Sequence, residues 1–237
     1  MSAVVCSAFH FSLFISFAVT WSSFRIFSMG KLKILCFRGY RQTSDLFREK
    51  TGAFRKNLKK LCDFEFFNAP NSIPEDNGFA WWFSRPDKYF KAQNDSDCDL
   101  GFSESVRALR DFIRSHDPFD GVLAFSQGAA FALLLQLMME HNLCDFADSP
   151  PKFSILVAPF FSRSEQHQKV YTFKSSVPTL VIYGKTDEVI QAEMSEEVLE
   201  LFDPPATVYV HEGGHFIPTH ADARMVYTQF LSRFMEE

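Results

Sequence analysis

The chain has 237 residues, 46% hydrophobic and 22% charged, with 10 Gly and 11 Pro. This excludes collagen-like, low-complexity and wholly disordered chains, and it leaves enough residues for a core without disulfide staples. A formal net charge of −5 gives no broad cationic surface, so neither nucleic acid nor an anionic membrane is expected as the main partner.

Residues Met1 to Ser28 differ in character from the rest of the chain. Apart from His10 and Arg25 they are apolar residues, Ser and Thr, uncharged from Phe11 to Phe24. A secretory signal needs basic residues ahead of the apolar run, and none precede it. Ser12, Ser16, Ser22 and Ser23 interrupt it as a membrane span. Residues 1–28 are therefore expected to lie outside the fold, the alternative being a cleaved targeting segment or weak anchor, and no stable membrane insertion is expected. Residues 29–237 are read as one domain, since no internal repeat or Gly/Ser linker divides them.

From Lys31 onward short apolar runs alternate with helical patterns. Strands are predicted at Leu32–Phe37, Phe64–Asn68, Gly121–Phe125, Phe153–Ala158, Thr179–Tyr183 and Thr207–His211. Apolar spacing near three and four predicts helices at Asp45–Cys62, Phe102–His116, Gln127–Asn142, Ala192–Phe202 and Ala221–Met235. Strands separated by single helices require crossover connections, which makes the class α/β, with a mostly parallel central sheet and helices on both faces. The stretch from Asn68 to Asp99 lacks periodicity and carries Trp81, Trp82 and Phe83. It is expected to form a lid or pocket wall; the alternative is a surface loop whose aromatics fill a satellite core.

The most informative segment runs from Phe119 to Ala130. A short apolar strand leads into Ser126, and the small residues Gly128, Ala129 and Ala130 open the next helix, the strand, sharp turn and helix that exposes a nucleophilic hydroxyl above a sheet edge. Ala124 stands where the G-x-S-x-G pattern has its first Gly. The alternative is an ordinary N-cap serine. A hydroxyl near neutral pH needs a base and an orienting carboxylate. Asp187 follows the strand ending at Tyr183, and His215 follows the strand ending at His211. Ser, Asp and His, each after its own strand, is the chain order of an α/β-hydrolase. Glu188 ranks second as orienter. The backbone N–H groups of Gln127 and of Tyr40, the latter after Gly39 in the loop following the first strand, are the candidate oxyanion donors.

His211-Glu212-Gly213-Gly214-His215 also spells H-E-x-x-H. A zinc peptidase needs that motif on a helix, where each Gly costs about 1 kcal/mol relative to Ala. The β-branched and aromatic run before it reads as a strand entering a loop, so no metal is expected. His116 and His141 fall at helix ends, and His167, in a polar loop, is expected at the surface or as a cap. Cys6, Cys36, Cys62, Cys98 and Cys144 are odd in number, widely spaced and without a C-x-x-C pair. Neither a disulfide framework nor a zinc ribbon is suggested, and a reducing, cytoplasmic location fits.

With these residues laid out, the chain resembles the FSH family of serine hydrolases from Met29 to its end. The resemblance is carried by Lys33-Ile-Leu-Cys36, Gly39-Tyr-Arg-Gln42, Phe47 to Gly52, Trp81-Trp82, Pro118 to Gly121, Phe125 to Ala130, Gly184 to Asp187 and Gly213 to Pro218. The chain departs from the family pattern with Arg38 in place of His and Ala124 in place of Gly. The resemblance implies that Ser126, Asp187 and His215 form a charge relay and that the substrates are small carboxylic esters, often with long acyl or alkyl chains. Trp81, Trp82, Phe83, Phe160 and Phe161 are the expected lining of an apolar acyl pocket. No metal or organic cofactor is required. The alternatives are a thioesterase or lactonase with the same triad, or a non-catalytic ligand-binding scaffold.

Overall fold

A computed structural model describes residues 30–74, 77–144, 146 and 150–235. The extension expected over residues 1–28 lies outside them. The strands are β1 (Leu32–Phe37), β2 (Cys62–Phe67), β3 (Asn71–Ser72), β4 (Phe79–Ala80), β5 (Gly121–Phe125), β6 (Phe153–Val157), β7 (Thr179–Gly184) and β8 (Thr207–His211). The helices are α1 (Ser44–Lys50), α2 (Gly52–Leu58), α3 (Phe102–Arg114), α4 (Gln127–Glu140), α5 (Glu165–Gln168), α6 (Ala192–Glu197) and α7 (Ala221–Ser232).

Six strands form one sheet in the order β2-β1-β5-β6-β7-β8, and all its pairs are parallel. The class expected from the alternation of strands and helices is the one found. Side chains alternate between two cores along each strand, as the two-residue period requires. Leu35, Phe37, Ala124, Leu156, Val181 and Tyr183 point into one with α3 and α4; Ile34, Cys36, Leu123, Phe125, Ile155 and Ile182 point into the other with α2 and α7. Helix α4 is buried from Gln127 to Leu137, which explains a sequence apolar around its whole circumference.

Strand order reverses between β1 and β5: the chain leaves β1 for the edge strand β2, then returns to build the rest of the sheet outward from β5. In open parallel sheets the crevice beyond the carboxyl ends of the strands at such a point is where ligands bind. Ser126 directly follows β5 and Gly39 follows β1, so both lie at this crevice.

Three local features differ from the sequence expectation. The helix expected over Asp45–Cys62 is broken at Thr51, whose hydroxyl turns back to donate to the Phe47 carbonyl at 2.7 Å. Strand β2 starts at Cys62 rather than Phe64. Within the aperiodic stretch, β3 and β4 form a small antiparallel hairpin.

Candidate active site

Ser126 joins β5 to α4 with φ 56° and ψ −122°, a left-handed conformation that non-glycine residues adopt at a cost of about 1–3 kcal/mol. The bend persists because its neighbours leave no alternative. The Ser126 N–H stays on the sheet, donating to Val157 O at 2.9 Å, while the helix begins on the next residue. A Cβ on Gly128 would stand 2.4 Å from the Arg38 carbonyl oxygen, so only glycine lets α4 pass this close to the end of β1. The Ser126 side chain makes no cap bond to the helix. The N-cap alternative is thereby set aside.

The Ser126 hydroxyl faces His215, whose Nε2 lies 3.0 Å from Oγ. His215 Nδ1 lies 2.6 Å from Asp187 Oδ2. The other carboxylate oxygen of Asp187 accepts the N–H groups of Val189 and Ile190, each at 2.9 Å. Burial would raise the Asp187 carboxyl, but the hydrogen bond to His215 and the amides of Ile190 and Val189 outweigh it and hold the pKa below its ordinary value. The Asp187 side chain is 1% exposed and that of His215 18%, so the carboxylate is sealed in while the imidazole reaches the surface. Glu188 is exposed and takes no part in this chain of contacts.

The loops bearing Asp187 and His215 are clamped to each other. Lys185 N–H donates to His211 O at 2.8 Å and Thr186 N–H to Gly213 O at 3.2 Å, with the Lys185–Glu212 ion pair outside them at 2.6 Å. The H-E-x-x-H stretch is thus a strand end and a tight loop. His211 is buried, its Nδ1 accepting Gly213 N–H at 3.2 Å, and it does not share a helical face with His215. Among the described residues no group of three His, Cys, Asp or Glu side chains could hold a metal ion.

On the oxyanion side, Gly39 lies against the nucleophile: a Cβ there would be 3.3 Å from the Ser126 Cβ. Tyr40 is next in the chain, half-buried, its ring 5.3 Å from Phe90. Gln127 is the first residue of α4. The first intrahelical bonds come from Ala129 and Ala130 to Ser126 O, which leaves the Gln127 amide among those that point out of a helix start. Its buried side chain accepts Trp81 N–H at 3.0 Å and donates to Trp82 O at 2.8 Å. This clamp of the aromatic segment onto the nucleophile elbow leaves no trace in local sequence.

The expected acyl-pocket wall needs correction. Trp81, Trp82, Phe83 and Phe160 are 2% exposed or less and fill the core. Trp81 stacks on Phe131 at 4.3 Å, with Phe37 and Phe67 around it, and its indole N–H donates to Arg38 O at 2.8 Å. The physical reason is that both peptide and indole groups of this segment find partners only inside the fold. Phe161 is half-buried, its ring edge on Tyr171. The apolar side chains left open beside the triad are Val189 and Phe216, 53% and 48% exposed. A separate cavity of about 550 Å³ lies between α3 and α4 at the opposite rim of the sheet, away from Ser126.

His167 is also corrected. It is buried rather than at the surface, with Nδ1 2.7 Å from the Ser162 hydroxyl, Nε2 3.5 Å from Asp99 Oδ2, and its ring against Phe102 and Trp82. Burial outweighs the pull of Asp99 and lowers its pKa to about 4.

Comparison with known proteins agrees with this architecture. The serine hydrolase family FSH1 matches residues 28–227. Esterase OVCA2 of Danio rerio is 38% identical over 224 residues, covering 86% of this chain and 97% of the relative. Esterase CG5412 of Drosophila melanogaster is 36% identical over 217 residues, covering 87% and 76%. Among solved structures, esterase PE8 superposes with a TM-score of 0.62 at 22% identity, covering 86% of this chain and 93% of its own.

Proposed function

The chain belongs to the FSH1 family of serine hydrolases, and from that premise we propose that it is a carboxylesterase working through Ser126, His215 and Asp187. The observation that carries the reading is the continuous relay of 3.0 Å from Ser126 Oγ to His215 Nε2 and 2.6 Å from His215 Nδ1 to Asp187. With Asp187 ionised and accepting from Nδ1–H, the Nε2 lone pair is left for the serine proton. Oγ attacks the ester carbonyl as its proton passes to His215. The tetrahedral oxyanion is met by the Gln127 and Tyr40 N–H groups, and the alcohol leaves with the proton. Water activated by the same imidazole then releases the acid.

An apolar acyl or alkyl group would rest on Val189 and Phe216, close in the chain to Asp187 and His215, and on Tyr40, which follows Gly39 at the nucleophile. The exposure of Val189 and Phe216 near the sealed Asp187 carboxylate supports a substrate with an apolar chain. The reading treats residues 29–237 as one hydrolase domain with 1–28 outside it, which the start of the family match at residue 28 supports. Cys36, Cys62 and Cys98 are free thiols, in keeping with a reducing cytoplasm. Among the described residues no helix is long and apolar enough to cross a membrane.

A fluorophosphonate probe tests the mechanism. Labelling of the wild type and none of Ser126→Ala is expected; a folded wild type that stays unlabelled would overturn the enzyme and favour a ligand-binding scaffold. p-Nitrophenyl esters of increasing chain length, run beside acyl-CoA substrates, then test the ester assignment. Faster turnover of acyl-CoA would replace it with a thioesterase.

A further inference from the structure

Arg38 is fully buried at the end of β1, and among the described residues no carboxylate lies within ion-pair distance of it. A lone guanidinium in such a place loses its hydration without a counter-charge. Burial draws its pKa down only to about 10, so the charge persists at neutral pH. What it meets instead is carbonyl oxygens. Nη1 donates to Gly39 O at 3.1 Å and to Phe79 O at 3.0 Å, and Nη2 reaches Ala69 O at 3.5 Å. The guanidinium also lies over the Phe79 ring at 5.3 Å, while Nε has no partner.

One of those carbonyls bears on catalysis. Gly39 C=O and Tyr40 N–H belong to a single planar trans peptide, so they point in opposite directions and turn together. Holding one end aims the other. A charge-assisted bond on the oxygen also polarises the amide and strengthens its N–H as a donor. The same side chain ties this loop to the β3–β4 hairpin through Phe79 O, and Gly39 itself lies against Ser126.

We propose that Arg38 is a positioning residue for the oxyanion hole: by gripping the Gly39 carbonyl it sets the Gly39–Tyr40 peptide so that the Tyr40 N–H is presented, polarised, to the oxyanion formed at Ser126. The proposal rests on the reading of Ser126 as nucleophile and Tyr40 as second donor. It assigns work to a cation buried among carbonyl oxygens with no carboxylate within ion-pair distance among the described residues.

The test compares wild type, Arg38→Met, Arg38→Lys and Ser126→Ala in full-length protein. The readouts are kcat and KM on p-nitrophenyl butyrate, the Ki of an alkyl trifluoromethyl ketone that forms a tetrahedral oxyanion on the serine, and thermal unfolding. Removing a whole oxyanion donor costs about 10²–10³-fold, so misaiming one in Arg38→Met should lower kcat roughly 10- to 100-fold. KM should stay within about threefold, and ketone affinity should fall by the same factor as kcat. Arg38→Lys keeps the charge and a donor and should recover part of both losses together. A folded Arg38→Met with wild-type kcat and ketone affinity, or one whose kcat falls while ketone affinity is kept, overturns the proposal. If Arg38→Met does not fold, Arg38→Lys decides: parallel losses in kcat and ketone affinity support it, and a loss in melting temperature alone overturns it. Ser126→Ala separates the premises, because wild-type turnover in that variant would sink the serine mechanism itself, whatever Arg38 does.

Discussion

Gly184 lies directly beneath the loop that carries His215: a Cβ on it would stand 2.1 Å from the Gly213 carbonyl oxygen. That oxygen is backbone and is held in place by Thr186 N–H, so it cannot swing aside as a side-chain tip could. Gly184→Ala is therefore expected to push the 213–215 turn outward and lengthen the 3.0 Å contact between His215 and Ser126. A misplacement near 1 Å is worth about 10²-fold in rate. Steady-state kcat on a p-nitrophenyl ester should fall by about that factor, with a lowered melting temperature. A variant with wild-type kcat would show that the turn yields without moving the imidazole.

Asp187→Asn should fold, because the amide oxygen can still accept from Val189 and Ile190, but it should hold His215 in the wrong tautomer. A loss of about 10⁴-fold in kcat is expected, against little change for Glu188→Gln. Equal losses in the two variants would move the orienting role to Glu188. The carboxyl also makes stability depend on pH. Its folded pKa is below the ordinary value, so its contribution is present above the unfolded pKa and is lost as pH falls through the folded one. The stability gap between wild type and Asp187→Asn, measured by urea unfolding, should narrow from pH 6 to pH 3.

Gln127→Ala should destabilise the protein well beyond the loss of one side chain. It would leave Trp81 N–H and Trp82 C=O buried without the partners that hold them at 3.0 and 2.8 Å, at about 1–3 kcal/mol for each group. Gln127→Glu should be worse, since it places a carboxylate oxygen opposite the Trp82 carbonyl. Urea midpoints for both variants check this, and a midpoint unchanged in Gln127→Ala would mean that water replaces the amide.

The sheet was legible because each strand is a short apolar run set off from its neighbours by a helix or loop, and the convergence at one rim followed from Ser126, Asp187 and His215 each standing just beyond a strand end. What local pattern could not carry was long-range polar pairing. The hairpin of β3 and β4 has two residues per strand, too few for a period; its own Asn71 side chain donates across it to Ala80 O at 3.1 Å and out of it to Gly101 O at 2.9 Å. Trp81 and Trp82 stood out by composition, yet their place in the core depends on Gln127, 46 and 45 residues away. His167 sits among Glu165, Gln166 and Gln168, which reads as a surface, and only the fold turns its ring onto Phe102.

That buried histidine gives the fold a second dependence on pH. His167 is neutral in the fold, with a pKa of about 4, against about 6.5 in an unfolded chain. Between those values the unfolded state binds the proton and the folded state does not, so stability falls as pH drops from about 6.5 toward 4 and levels off below. The shift corresponds to roughly 3 kcal/mol at most and comes from burial of the ring, which outweighs the opposing pull of Asp99. His167→Asn, which keeps a polar group facing Ser162 but does not titrate, should be less stable than wild type at pH 7.5 and should lose less stability on going to pH 4.5. Urea unfolding of both proteins at the two pH values measures the difference. An equal loss in the two proteins would place the acid sensitivity elsewhere, with the carboxylates that the fold holds ionised.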